Sequence, residues 1–158
     1  EFDVVRHVLG TEYASITAFQ PKRSDALVAP VVMVLETTDG QLVTIEINNN
    51  AAYGYDVRGE LVGEAGAIAM NSVAYTRTDM KLSSSTRYES DWRGRYHAAY
   101  VRQNRDFLAY VETGKFPDIA SDCWDGYCAA IVAQAGIEAL VSGTKTQVVM
   151  APKPEFYA

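Results

Sequence analysis

The hydrophobic period of this sequence changes once, close to Trp92, and this change limits the folds that the chain can adopt. From Tyr13 up to that point, apolar residues alternate with polar ones in several short runs, which is the period of half-buried strands. Beyond it, apolar residues recur about every three to four positions, which is the period of helices. Strands followed by helices predict an α+β domain, in which helices pack on one face of a mostly antiparallel, open-faced sheet.

The upstream part carries the signals of several strands and two hairpins. A short helix over residues 2–9 precedes them and is ended by Gly10. Asp39-Gly40 is a turn signal between two β-branched runs, and residues 63–66 form a second turn. The predicted strands cover residues 13–19, 31–36, 42–48, 55–62 and 67–70, with edge strands at 73–78 and 86–88.

Two helices are predicted downstream. The first is ended by Gly114, and the second begins near Ser121 or Asp122, which are both good N-caps, and stops at Gly143. The many alanines of the second helix predict close packing against a neighbour, and a last strand follows at residues 146–149. The helix that Gly114 ends has one apolar stripe, which consists of Tyr96, Tyr100, Gln103, Phe107, Tyr110 and Val111.

Length and charge exclude some classes of partner. The chain has 158 residues, which suits a single domain over residues 1–158 with a sizeable core. Its net charge of −6 repels phosphate backbones, so no nucleic-acid partner is expected. The longest apolar stretch, residues 26–35, contains Pro30 and is too short to span a bilayer, so no membrane partner is expected either.

The cysteines and histidines do not form a metal motif. Cys123 and Cys128 lack the spacing of a zinc site, and His7 and His97 lie far apart in the sequence. On one helix the two thiols would point in different directions, so they are not expected to pair. Two reduced thiols, together with the lack of a signal-peptide pattern, predict a cytoplasmic protein.

Three blocks of the sequence are not generic strand or helix material. Residues 48–66 read NNNAAYGYDVRGELVGEAG, residues 91–100 read DWRGRYHAAY, and residues 124–130 read WDGYCAA. In order and spacing they resemble the C-terminal domain of inositol 2-dehydrogenases, in the glucose–fructose oxidoreductase and inositol dehydrogenase family. The resemblance covers nearly the whole chain.

The resemblance implies an NAD-dependent oxidoreductase that oxidises a secondary alcohol of a cyclitol or sugar, with myo-inositol as the first candidate. In this family an N-terminal Rossmann domain binds the NAD, and the chain has neither the G-x-G-x-x-G turn nor the βαβ alternation of such a domain. The family's catalytic His would stand immediately before Glu1, and its catalytic Lys further upstream. The chain alone is therefore expected to hold no catalytic, cofactor-binding or metal-binding residue and to be inactive.

The resemblance also points to Tyr55, Tyr53 and Asp3 as substrate-binding residues. A tyrosine offers an apolar ring to the C–H groups of a polyol and a hydroxyl to its oxygens. The residues themselves leave a simpler alternative open, in which Tyr55 packs a sheet face and Asp3 pairs with Arg6.

Assembly is predicted from the sheet. An antiparallel sheet covered on one face leaves the other face open, and the Val, Ile and Tyr content predicts that this face is apolar enough to pair with another copy. A homodimer or homotetramer is therefore expected. Two other interpretations stay open: a non-catalytic module that binds carbohydrate or serves assembly, and a dehydrogenase of the same family that acts on another sugar.

Overall fold

The computed structural model describes residues 1–70 and 76–157. Contacts between Cα atoms divide the chain into two compact units: unit 1 comprises Glu1–Asn50 and Ile119–Ala158, and unit 2 comprises Ala51–Asp118. In chain order the elements are α1 (Phe2–Leu9), β1 (Tyr13–Phe19), β2 (Val31–Thr37), β3 (Leu42–Ile47), β4 (Glu60–Gly63), β5 (Gly66–Ala69), β6 (Arg77–Met80), β7 (Ser83–Thr86), α2 (Trp92–Thr113), α3 (Cys123–Ser142) and β8 (Thr146–Gln147), followed by a 3-10 turn at Glu155–Tyr157.

Unit 1 is built on a four-stranded antiparallel sheet in the order β3-β2-β1-β8. Strands β2 and β3 form the predicted hairpin, and Gly40 in its turn has a φ of +85°, which favours glycine. Strand β8 pairs with the other edge of β1, with Gln147 opposite Ser15, and is shorter than predicted. The sequence predictions for α1 and for the first three strands are confirmed to within one residue at each end.

Strand β1 departs from strict alternation at its beginning. Its pairing with β2 shifts between Tyr13 and Ser15, which is a β-bulge with one extra residue. As a result Tyr13 lies in the same buried cluster as Ile16, although alternation predicts that these two side chains occupy opposite faces. That prediction was wrong because a one-residue shift moves the preceding side chains to the other face.

The core of unit 1 lies between the sheet and α3, and Phe2 of α1 packs against it. Helix α3 begins after Asp122, which forms a capping box with Asp125. On its inner face, a Cβ added at Gly136 would lie 3.3 Å from Cδ1 of Ile16, so the small residues of this helix do allow close packing. The buried cluster consists of Tyr13, Ile16, Ala18, Met33, Leu35, Ile45, Val132, Ala135 and Ala139.

The opposite face of the sheet carries no helix in the described part of unit 1. Phe19, Val32 and Leu42 project from it and are exposed, and Glu36 and Glu46 lie among them. Phe19 and Val32 are direct neighbours on β1 and β2. The predicted α+β class, an antiparallel sheet with helices on one face, is therefore confirmed.

Unit 2 consists of two small hairpins and the long helix α2. Hairpin β4–β5 was predicted, but β4 begins at Glu60 and not at residue 55. Tyr55 instead makes a single β-bridge to Glu89. The segment from Tyr55 to the start of β4 contains Asp56 and Gly59, which are poor strand residues. Edge strands were predicted at 73–78 and 86–88, of which residues 73–75 lie outside the described ones. Hairpin β6–β7 overlaps these predictions only at residues 77–78 and 86, so the predicted bounds were wrong.

Helix α2 begins after Asp91, whose carboxylate accepts a hydrogen bond from the backbone N–H of Arg93 at 2.8 Å, and it ends at Gly114 as predicted. Tyr96 interrupts it with non-helical φ and ψ of −117° and 17°. No described residue of unit 2 is buried, and Phe107 and other members of the predicted stripe are exposed. Neither α2 nor any other helix within residues 1–70 and 76–157 is both long and apolar enough to cross a membrane.

Candidate functional site

The loop that contains Tyr53 and Tyr55 is held against the residues just before α2. The backbone N–H of Tyr55 donates to the carbonyl oxygen of Glu89 at 2.7 Å. Gly54 has a φ of +128°, and a Cβ added there would lie 2.7 Å from Cβ of Tyr88 and 2.9 Å from the Glu89 carbonyl oxygen. Because only glycine allows this approach, the loop backbone fixes the directions in which the two tyrosines project.

Tyr53 belongs to a cluster with Asp56, Arg58 and Tyr88, which we name the tyrosine–arginine patch. The ring centroids of Tyr53 and Tyr88 lie 5.1 Å apart, with 63° between the ring planes. Arg58 donates from Nη2 to the hydroxyl oxygen of Tyr88 at 3.2 Å and from Nε to Oδ2 of Asp56 at 2.6 Å. The bond to Asp56 raises the pKa of Arg58, so the guanidinium remains charged.

Tyr55 contacts a different set of side chains. Its ring meets that of Tyr96 edge to face, with the centroids 6.2 Å apart. The guanidinium of Arg95 lies 5.3 Å from the centre of the Tyr96 ring, which is a cation–π distance. Tyr55 is half-buried, whereas Tyr53 is 60% exposed. Tyr53 therefore exposes more of its ring than Tyr55 does.

Asp3, the third predicted binding residue, lies in the first turn of α1 in unit 1. Its Oδ1 accepts a hydrogen bond from Nη1 of Arg6 at 3.1 Å, and its Oδ2 accepts one from the hydroxyl of Ser121 at 2.6 Å. The pairing with Arg6 that the sequence left open is therefore present. The Asp3 side chain is still 36% exposed, so its carboxylate is fixed in orientation yet accessible to a hydroxyl group.

Arg6 connects Asp3 to two further carboxylates. Its Nε and Nη2 donate to the two carboxylate oxygens of Glu12, and its Nη1 lies 3.3 Å from Oδ1 of Asp125. The hydrogen bonds to Glu12 are the main cause that raises the pKa of Arg6. The pKa of Asp125 is lowered, first by the hydrogen bond from the Asp122 backbone and then by Arg6. This network joins α1, the segment just before β1 and the start of α3.

The three predicted binding residues thus fall into two units, with Asp3 in unit 1 and both tyrosines in unit 2. Tyr53 and Tyr55 share one loop but contact different aromatic rings. Their role in binding a substrate, like that of Asp3, stays a prediction.

Sequence reasoning missed Arg58 and Tyr88. A signal existed for Arg58, because opposite charges two positions apart in an extended segment project to the same side and can pair, as Asp56 and Arg58 do. The sequence offered no sign that Tyr88, far along the chain, packs on Tyr53.

The described residues do not offer the usual support of a dinucleotide. All strand pairs formed by residues 1–70 and 76–157 are antiparallel, whereas the dinucleotide turn joins parallel strands through a helix. Over the same ranges no cluster of His, Cys, Asp and Glu could hold a metal ion.

Comparison with known proteins supports the family resemblance that the three sequence blocks indicated. Residues 1–69 match the family model described as the GFO/IDH/MocA C-terminal domain. Inositol 2-dehydrogenase 2 of Saccharopolyspora erythraea is 38% identical over 164 aligned residues, which cover 100% of this chain and 47% of that protein. Inositol 2-dehydrogenase of Burkholderia cenocepacia is 34% identical, over 99% of this chain and 47% of that protein.

A solved structure extends the similarity to the fold. The myo-inositol dehydrogenase from Lactobacillus casei, in complex with NAD(H) and myo-inositol, superposes with a TM-score of 0.89 at 27% identity, covering 99% of this chain and 48% of that one. The chain thus spans about half the length of the proteins that it matches. The resemblance inferred from the three sequence blocks is confirmed: residues 1–69 match the GFO/IDH/MocA C-terminal domain, and the chain is similar along its length to proteins named inositol 2-dehydrogenase.

Proposed function

We propose that this chain is the substrate-facing, C-terminal domain of an NAD-dependent dehydrogenase that oxidises a secondary alcohol of a cyclitol, with myo-inositol as the substrate. The observation that carries the proposal is the 38% identity over the whole chain to a protein named inositol 2-dehydrogenase 2. The similarity in fold to a dehydrogenase solved with NAD(H) and myo-inositol supports the same substrate class.

In this proposal residues 1–158 act as one substrate-binding and oligomerisation domain. NAD, bound by the other half of the protein, accepts the carbinol hydrogen as hydride. The residues of this chain orient the polyol, because a ring with several similar hydroxyls must be held so that only one of them reacts. Tyr53 and Tyr55 contact the ring and its hydroxyls, and the carboxylate of Asp3 accepts hydrogen bonds from hydroxyl groups.

The proposal includes an inactive isolated chain. The proton acceptor and the nucleotide site belong to the other half, so the 158-residue chain alone neither binds NAD nor oxidises myo-inositol. If the isolated chain oxidises any substrate, the proposal that the proton acceptor and the nucleotide site lie in the other half of the protein is wrong.

The decisive experiment uses the full-length protein that contains this chain. It is assayed against myo-inositol, other inositols and aldoses, with NAD and with NADP, by following the absorbance of the reduced cofactor. We expect the highest kcat/KM for an inositol with NAD. A preference for an aldose shifts the proposal to another dehydrogenase of the same family, and no oxidation of any polyol favours a non-catalytic module that binds carbohydrate or serves assembly.

We also propose that the protein forms a homodimer or homotetramer through the open face of the unit 1 sheet. Phe19, Val32 and Leu42 leave apolar area exposed on that face, and a symmetric pairing of two copies would remove it from water. A cytoplasmic location completes the proposal, because Cys123 and Cys128 are both free thiols, which suits a reducing compartment.

A further inference from the structure

We propose that Tyr88 and Arg58 are further substrate-contact residues, and that together with Tyr53 they form a wall that binds one side of a neutral polyhydroxylated ring. The inference deepens the proposed function and rests on it, since the ligand is the polyol of that reaction. Its basis is the geometry of the tyrosine–arginine patch, which lies entirely within unit 2.

The Tyr53 and Tyr88 rings meet at 63° with their centroids 5.1 Å apart, so they form two inclined apolar surfaces side by side. Tyr53 is 60% exposed, which leaves much of its ring available to a ligand. The C–H groups of a saturated ring pack well against aromatic surfaces, and two inclined rings contact such a ligand along more of its outline than one ring does.

Arg58 donates to the hydroxyl oxygen of Tyr88, so this oxygen acts as an acceptor within the protein. The phenolic proton of Tyr88 must then point elsewhere and is available for an oxygen atom of a ligand. A hydroxyl on a polyol ring can accept that hydrogen bond and can donate its own proton to a second acceptor.

The side chain of Asp56 is only 9% exposed and binds Nε of Arg58, while the Arg58 side chain is 72% exposed. The charge of the Arg58 guanidinium is therefore balanced by the shielded carboxylate of Asp56. Other N–H groups of the guanidinium still face solvent. A paired arginine of this kind hydrogen-bonds a neutral hydroxyl group without strongly favouring a phosphate, whose charge Asp56 would repel.

The loop that carries Tyr53 and the segment that carries Tyr88 are held together. The backbone N–H of Tyr55 donates to the carbonyl oxygen of Glu89, and Gly54 closely approaches Tyr88. Arg58 adds a side-chain link between the two segments. Tyr53 and Tyr88 are consequently held in place before a ligand arrives, which reduces the entropy lost on binding.

The test compares Tyr88→Phe and Arg58→Gln with a control, Tyr110→Phe, in the full-length protein. Tyr88→Phe removes one hydroxyl and keeps the ring. Tyr110→Phe makes the same change elsewhere in unit 2, on a ring that packs against Phe116. We expect Tyr88→Phe and Arg58→Gln to raise KM for myo-inositol by about fivefold to tenfold, the usual effect of one lost hydrogen bond, with kcat and KM for NAD nearly unchanged. The control should match the unmodified enzyme in all three constants.

A set of deoxy-inositols, each lacking one hydroxyl, gives a readout that a structural role would not produce. For the analogue that lacks the hydroxyl bound by Tyr88, the Tyr88→Phe substitution should no longer raise KM, because the interaction is already absent. An unchanged KM for myo-inositol in Tyr88→Phe, or an equal rise for every analogue and for NAD, would overturn the inference. If Arg58→Gln does not fold, the comparison of Tyr88→Phe with its control decides alone.

The two proposals fail in different ways. An unmodified full-length enzyme that oxidises no polyol removes the proposed function. An enzyme that oxidises myo-inositol normally, and whose Tyr88→Phe variant has the same KM, removes only the role of Tyr88 and leaves the proposed function in place.

Discussion

Arg6 donates two parallel hydrogen bonds to Glu12, with Nε 2.7 Å and Nη2 2.6 Å from the two carboxylate oxygens. Only 8% of the Arg6 side chain is exposed, and its remaining nitrogen contacts Asp3 and Asp125. One buried cation thus serves three carboxylates that come from α1, from the segment before β1 and from α3. The guanidinium of Arg6 thus helps to fix the position of Asp3, together with the hydroxyl of Ser121.

Arg6→Met should destabilise the protein by about 2 kcal/mol. The substitution keeps an apolar chain in place but leaves three neighbouring carboxylates without their common cation. We place the cost below that of a fully buried pair because each carboxylate remains about one-third exposed to water. Urea denaturation followed by circular dichroism measures the change.

The matched control is Arg23→Met, which breaks the pair with Asp25 in the loop between β1 and β2. The Arg23 side chain is 36% exposed and that of Asp25 is 52% exposed, against 8% for Arg6, so the expected loss is less than about 1 kcal/mol. Equal losses for the two variants would show that the network around Arg6 is no more important than a surface ion pair.

The contribution of Asp125 to stability should depend on pH. Its folded pKa is lowered by the Asp122 backbone N–H and by Arg6, so its carboxylate stabilises the fold above the unfolded pKa, and this stabilisation disappears as the pH falls through the folded value. Asp125→Asn should therefore cost about 1 kcal/mol at about pH 7, and the difference from the unmodified protein should shrink below about pH 4. Urea denaturation across this range provides the measurement.

The same exchange at an exposed aspartate, Asp39→Asn in the β2–β3 turn, should change stability by less than about 0.5 kcal/mol at every pH. A gap between Asp125→Asn and the unmodified protein that stays constant from neutral to acid pH would contradict the assigned charge interaction.

The two thiols should differ sharply in reactivity. Cys128 is fully buried in the core of unit 1, and burial raises the pKa of its thiol, whereas Cys123 is exposed at the start of α3. An aromatic disulfide reagent should therefore titrate one thiol in the native protein and both in denaturant. Cys123→Ser should abolish the reaction of the native protein. If the native Cys123→Ser variant still reacts quickly, the remaining thiol, Cys128, is not buried as described.

Most elements of unit 1 were predictable because each carries its own local signal. Gly10 ends α1, Asp39-Gly40 turns the β2–β3 hairpin, and Asp122 caps α3. The bulge that brings Tyr13 into the core was not predictable, because it depends on how the side chain fits beneath α3 and not on the residues beside it.

The candidate site was likewise predictable only where the sequence carries a local signal. The motif around Tyr53 and Tyr55 identified the loop, but the contacts that define the patch join residues far apart in the sequence, as in the bond from Arg58 to Tyr88. The bond from Ser121 to Asp3 spans most of the chain. Local periodicity holds no information about such pairs, so only the fold could reveal them.

Gly54→Ala should weaken polyol binding without unfolding the protein. The new Cβ would meet Tyr88 and the Glu89 carbonyl oxygen at well under contact distance, and the φ of +128° is itself unfavourable for alanine. The loop must therefore shift and move Tyr53 and Tyr55. We expect KM for myo-inositol in the full-length enzyme to rise roughly tenfold or more.

Gly126→Ala is the matched control. It lies inside α3, and its added Cβ meets nothing within 4 Å, so the variant should keep its KM and gain about 0.5 to 1 kcal/mol in stability. An unaltered KM in Gly54→Ala would mean that the loop geometry does not position the substrate.

The open face of the sheet should decide the oligomeric state. Phe19 and Val32 are neighbours on β1 and β2, and both are exposed, so a charge on each strand would oppose burial of this face in an interface. If the unmodified protein forms the proposed dimer or tetramer, Phe19→Glu combined with Val32→Lys should give a monomer, measured by light scattering at increasing concentration. Val141→Lys places a charge on an exposed position of α3 and should leave the assembly intact. If the double variant keeps the assembly of the unmodified protein, the subunits pair through another surface.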